Sequence, residues 1–286
     1  MRIWPSGGEA GVPRRVDSRY AVERNGTSAP VSDTSANEAS PPRTLKLVLA
    51  YDGTLLVGWQ RQAAGDSVQG LIEDALGRFE GRPVTVHGAG RTDAGVHALG
   101  QVASARVSFT HDTATLVRAL NAHLPETVRV LRVDDAPPDF HARLSARSKT
   151  YRYDIRNTAI APPFDRAFVW HVPEALAVAP MQHAAALLVG THDFAAFRSV
   201  GSDAVGTVRT LTTSAVAEHD GLLSYTVSGN GFLRHMVRAI VGTLVEVGRG
   251  WRDASSVRTL LGHGRRAEAG PTAPPQGLFL VCVDYD

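Results

Sequence analysis

The chain has 286 residues, 43% of them hydrophobic and 20% charged, with a formal net charge of +2. That length holds one large domain or two of ordinary size, and the apolar content is enough for a real core. A single cysteine, Cys282, excludes an internal disulfide and a cysteine-rich zinc site, and no apolar run reaches the length of a membrane span.

The N-terminal MRIWPSGGEAG has no hydrophobic stretch of the signal-peptide kind, so a cytoplasmic protein is expected. Of the 30 basic residues only Lys46 and Lys149 are lysines. Arginine offers a planar fork to phosphate, but a coding bias toward arginine accounts for the total better. Only the local placement of arginines carries a functional argument.

Residues 1–43 are rich in Ser, Pro, Gly, Ala and Asn without a sustained hydrophobic period, which predicts a disordered extension. Leu45–Tyr51 then reads as a strand ended by Asp52-Gly53. Ser67 is placed to cap a helix from Val68 to Phe79, whose apolar residues recur at helical spacing. Val84–His87 and Gln101–Val107 read as strands, Thr115–His123 as a helix and Val128–Val133 as a strand. Strand, helix, strand, strand, helix, strand is the order of a ferredoxin-like unit.

A second unit is expected from residue 148. Thr150–Ile155 alternates as a strand, Pro162, Pro163 and Pro173 mark a loop, and Pro180–Val189 reads as a helix. Strands follow at Val208–Ala217 and Leu222–Val227 across an Asp220-Gly221 turn. Arg234–Val247 is a strong helix, Asp253–Leu261 a short one, and Gly277–Val283 a last strand, with Cys282 as a buried thiol. The expected fold class is α+β: halves 44–147 and 148–286, ferredoxin-like or RRM-like, with antiparallel sheets joined around a central cleft.

Between the second and third strands stands Arg91-Thr92-Asp93-Ala94-Gly95-Val96-His97-Ala98. A carboxylate in a tight glycine-containing turn with a cation two residues away suits a nucleophile that must stay ionised. A lone Asp in such a turn is more often a local Asx-turn, so spacing alone leaves both readings open. His97 either contacts a ligand or braces the loop, and His192 and His235 are scattered without metal-ligand spacing.

The octapeptide resembles the nucleophile motif of the TruA family of tRNA pseudouridine synthases. So, in order, do Tyr51-Asp52-Gly53, Gly58–Gln62, Ser67–Gly70, Phe140–Arg143, Tyr151-Arg152-Tyr153, Gly190–Phe194, Ala196–Arg198, Gly231–Arg238, Ile240–Leu244, Gly270–Pro274 and Gly277-Leu278. The resemblance runs from about residue 44 to the end. Leu56 and Leu144 stand where the family usually has aromatics, which bears on packing more than on chemistry.

The resemblance implies the pseudouridine synthase fold and a cofactor-free, metal-free isomerase. Its substrate would be uridine at positions 38–40 of tRNA, in the anticodon stem-loop, and the enzyme a homodimer. It implies Asp93 as the essential carboxylate, Arg238 as its ion-pair partner and Tyr151 as the residue that stacks on the target base or moves a proton. Arg91 would help expel the base, and His97, Arg143, Arg152, Arg198 and Arg234 would join Tyr151 in holding substrate. Arg61, Arg147 and Lys149 are further phosphate candidates. The competing expectation is a non-catalytic RNA-binding or tRNA-folding module on the same fold. Retention of Asp93, Arg238 and Tyr151 together argues against it.

Overall fold

The computed structural model describes residues 42–199, 206–262 and 264–286. All of them lie in the compact unit Ala39–Asp286. The expected extension over 1–43 falls almost entirely outside the described residues; its last residue, Arg43, already belongs to the first strand.

The first half builds β1 (Arg43–Tyr51), α1 (Val68–Glu80), β2 (Val86–Gly88), β3 (His97–Val107), α2 (Thr113–His123) and β4 (Val128–Ala136). β1 alternates strictly over its last residues, turning Leu45, Leu47, Leu49 and Tyr51 into the core. α1 begins where expected: the Ser67 hydroxyl accepts from the Gly70 N–H at 3.2 Å. It ends on Gly81 in the left-handed region, the usual way to close a helix. The sheet order is β4-β1-β3, with β2 paired to the far end of β3, all antiparallel. That is the ferredoxin-like arrangement.

The second half follows the same plan with additions. β5 (Ser148–Arg156), a two-residue β6 (Trp170–His171), α3 (Val178–Ala186), β7 (Gly190–Asp193), β8 (Val208–His219), β9 (Leu222–Gly229), α4 (Met236–Gly248), α5 (Ser256–Leu260) and β10 (Leu278–Asp284) follow in order. β10-β5-β9-β8 repeats the first half's strand order, and β7 extends the edge. The hairpin between β8 and β9 turns on Asp220 and Gly221, both at positive φ.

The two sheets are one. β10 pairs with β3 in parallel, Phe279 opposite His97 and Leu280 opposite Ala98, so the halves share a continuous ten-stranded sheet. The hydrophobic core is likewise continuous from α1 to α4. Leu56 is 7% exposed and packs into it, whereas Leu144 is 78% exposed, so the two departures from aromatic character have opposite settings. Cys282 is half-buried rather than buried.

Candidate active site

The stretch from Gly88 to Val96 crosses the seam between the halves, and backbone contact shapes it. Asp93, Ala94, Gly95 and Val96 form a turn in which the Val96 N–H donates to the Asp93 carbonyl at 3.1 Å, with Gly95 at φ +77°. Glycine at that position is what such a turn requires. A second strand of contact comes from Gly58, at φ +104°: its Cβ would stand 2.6 Å from the Thr92 carbonyl oxygen. Its neighbour Trp59 donates its N–H to that same oxygen at 3.0 Å.

Side chains complete the brace. The Tyr51 hydroxyl and Thr92 Oγ1 are 2.8 Å apart, and Gln101 Nε2 donates to the Gly90 carbonyl at 2.9 Å. Burial pushes the Tyr51 phenol up to about 12, so it holds the loop as a neutral group. His97 is 1% exposed and committed at both nitrogens. Its Nδ1 accepts from the Gly53 N–H at 3.0 Å and its Nε2 faces the Ala167 carbonyl at 3.1 Å. Asp52 Oδ1 lies 3.2 Å from Nδ1, an ion pair only if the ring is protonated. Burial outweighs that carboxylate and lowers the His97 pKa, which matches a neutral ring accepting from Gly53. The geometry is therefore that of a brace, not of a ligand contact.

Asp93 meets the second half. Arg238 Nη1 donates to Asp93 Oδ2 at 3.0 Å, and His235 Nε2 is 3.3 Å from the same oxygen. Arg238 is aimed by the 270–274 loop: its Nε donates to the Ala273 carbonyl at 2.7 Å, and its own carbonyl accepts the Ala273 N–H at 3.0 Å. That loop lies flat on α4, with the Gly270 N–H donating to Thr243 Oγ1 at 2.9 Å. Arg238 and His235 stand at the start of α4, so the carboxylate sits at the helix's positive end, where no acidic residue of the helix itself is present. Among the described residues Asp93 Oδ1 makes no hydrogen bond, and the side chain is 31% exposed.

Tyr151 lines the same junction from β5. It is 8% exposed and meets Phe232 edge-on, with ring centroids 5.0 Å apart. Its hydroxyl and the Lys149 side chain both lie within 4 Å of where a Cβ on Gly90 would stand. Burial above all, then Tyr51 and Asp93, drive the Tyr151 phenol well above its ordinary range. Lys149 is shifted down, by burial first and by Arg143 second.

The remaining nominated cations divide. Arg91, Arg143, Arg147 and Arg234 are exposed and Arg198 half-buried, and none is in an ion pair among the described residues. Arg152 differs. β5 alternates, so Arg152 points to the face opposite Tyr151, where it pairs with Asp154 at 2.9 Å and lies over the Phe279 ring. Arg61 is held by Glu73 and Asp74 at 2.8 and 2.6 Å. Neither His97 nor Arg152 is brought to the carboxylate, because strand alternation and burial turn both away. His235 is the reverse case, set aside as a scattered histidine yet in contact with Asp93. It precedes α4 as a left-handed residue rather than lying on a helical turn, so no periodicity marks it.

A groove of about 320 Å³ lined by Arg82, His87, Arg106 and His141 contains none of these residues. Among the described residues no cluster of three or more His, Cys, Asp or Glu is placed to hold a metal ion, and no helix is long and apolar enough to cross a membrane.

A family model described as tRNA pseudouridine synthase matches residues 47–144 and 184–286. The chain belongs to the tRNA pseudouridine synthase family. The two matched stretches carry Asp93 and Arg238 respectively, and Tyr151 falls between them. Similar curated synthases agree over most of the length. The tRNA pseudouridine synthase A of Methylobacterium nodulans is 48% identical over 84% of this chain and 95% of its own. That of Geotalea uraniireducens is 46% identical over 85% and 100%. That of a Geobacillus species (strain WCH70) is 43% identical over 85% and 99%.

Proposed function

We propose that Asp93, Arg238 and Tyr151 form the catalytic centre of this synthase, and that its substrate is uridine in the anticodon stem-loop of tRNA. The enzyme isomerises uridine to pseudouridine. The N1–C1′ bond breaks, C5 joins C1′, the C5 proton leaves and a proton returns to N1, so atoms and electrons balance without a cofactor. The observation that carries this reading is the Asp93–Arg238 pair, which joins the halves at a carboxylate with one oxygen committed and the other open.

Each residue has a task its geometry supports. Arg238 fixes Oδ2 and thereby directs Oδ1 outward, where it attacks the substrate or takes its proton. Tyr151, a neutral phenol on an aromatic edge, meets the extruded base and can donate a hydrogen bond. Arg91, exposed two residues from Asp93, takes the place vacated in the RNA stack and offsets part of the cost of extrusion. Arg143, Arg147, Lys149, Arg198 and Arg234 supply phosphate contacts. The working form is a cytoplasmic homodimer, with one tRNA lying across both subunits.

Asp93→Asn tests the centre. The substitution is nearly isosteric, so folding and tRNA binding should persist while pseudouridine formation, mapped on incubated tRNA, disappears. Wild-type product levels from that variant would remove Asp93 from the role, and product absent from the wild type too would favour a binding module.

A further inference from the structure

His235 is not a cap for the helix it precedes. It occupies the N-cap position of α4 at φ +61°, yet its side chain makes no cap hydrogen bond. The ring is turned away and spans two groups instead: Ser199 Oγ lies 2.5 Å from Nδ1, and Asp93 Oδ2 lies 3.3 Å from Nε2. Ser199 is itself tied to this segment, its N–H donating to the Arg234 carbonyl at 3.2 Å. A non-glycine residue in the left-handed region persists only where its surroundings hold it there, and such residues gather at functional sites.

We propose that His235 is a positioning residue for Asp93: a neutral imidazole that takes a hydrogen bond from Ser199 at Nδ1 and gives one to Asp93 Oδ2 from Nε2. This rests on the reading of Asp93 as the catalytic carboxylate. Arg238 and His235 together seize one carboxylate oxygen from two directions, so the carboxylate cannot rotate and Oδ1 stays aimed at the substrate. An uncharged donor does this without a second full positive charge on the carboxylate. A protonated ring would tighten the clamp and withdraw electron density from the group that must react.

The charged groups facing the ring are Asp93 from the catalytic loop and Arg234 and Arg238 from its own segment. Burial leads in lowering the His235 pKa and the two arginines add to it, against Asp93. The ring is thus neutral at pH 7 and takes up a proton only on the acid side of an ordinary histidine. Activity should therefore fall on that acid side.

Single-turnover pseudouridine formation with excess enzyme, from pH 5 to 9, tests this on the full chain with His235→Ala, His235→Gln and Ser199→Ala. Misaiming a reacting group by about 1 Å costs about 10²-fold, so His235→Ala should lose about that factor in rate with tRNA affinity unchanged. Gln keeps an N–H donor where Nε2 stands but does not titrate. His235→Gln should therefore recover most of the rate and lack the acid limb, and Ser199→Ala should fall between. A folded His235→Ala with the wild-type rate, a loss confined to affinity, or an acid limb kept in His235→Gln would overturn the proposal. The Gln variant decides the matter if the Ala variant fails to fold. A wild type that forms no pseudouridine would instead overturn the assignment of activity on which the proposal stands.

Discussion

At Asp93 a four-residue turn, one arginine and one histidine decide what a carboxylate can do. The turn was legible because Gly95 and the flanking Arg91 announce a constrained acidic residue, and Arg238 was legible through the family resemblance of Gly231–Arg238. His235 was not, since no spacing rule marks a residue whose backbone turns left-handed and sends its ring across the seam. His97 shows the same limit from the other side. Read as a brace or a contact, it is 1% exposed and bonded at both nitrogens. Its burial has a consequence for pH. The folded ring binds a proton less readily than the unfolded one, whose pKa is about 6.5. Stability from His97 is thus full above that value and declines as pH falls below it, because the unfolded chain takes up the proton first. Urea unfolding at pH 7.5 and pH 5 should show a loss at the lower pH that is smaller in His97→Gln; equal losses in the two proteins would remove His97 as the source.

Among the elements, α4 and the 270–274 loop act as one piece. A Cβ on Gly242 would stand 1.7 Å from the Pro271 carbonyl oxygen, and one on Gly270 would stand 2.6 Å from the Thr243 nitrogen. Helix and loop therefore touch backbone to backbone, and through the Ala273 carbonyl that contact aims Arg238. Gly242→Ala must push the loop away. It should cost about 1–3 kcal/mol by overpacking and cut pseudouridine formation beyond what the stability loss explains, as read by urea unfolding and by turnover below the transition. Unchanged turnover in a destabilised variant would show that the loop does not aim Arg238. The long elements were readable from periodicity: α1, α2 and α4 begin within two residues of their expected starts. β6 and β7 were not read, because two and four residues at a sheet edge carry no period.

Over the whole molecule, two copies of one strand order share a sheet, and the Asp93 loop hangs at their seam. Around it the arginines differ in whether a carboxylate already holds them. Arg61 and Arg152 are already paired with carboxylates, while Arg91, Arg143, Arg147 and Arg234 stand exposed and outside any ion pair among the described residues. With six or so phosphate contacts, tRNA affinity should fall about 10³-fold between 50 and 200 mM salt. Alanine at Arg143 or Arg234 should lower the salt slope by about one, and at Arg152 by much less. Equal slopes for Arg143→Ala, Arg152→Ala and the unsubstituted enzyme would show that pairing does not sort these cations. Sequence by itself determined the α+β class, the order of the long elements and the family, and singled out Asp93 as a candidate, because hydrophobic period, turn chemistry and a colinear set of motifs are local signals. Only the tertiary structure decided that His235 joins Arg238 at Asp93 while His97 and Arg152 do not reach it. Strand alternation carries Arg152 to the opposite face, burial closes His97 off, and the β3–β10 pairing brings His235 and Arg238 across some 145 residues of chain to one oxygen of Asp93. Contacts across that separation depend on how two sheets register, and no local pattern encodes the register of strands so far apart in sequence.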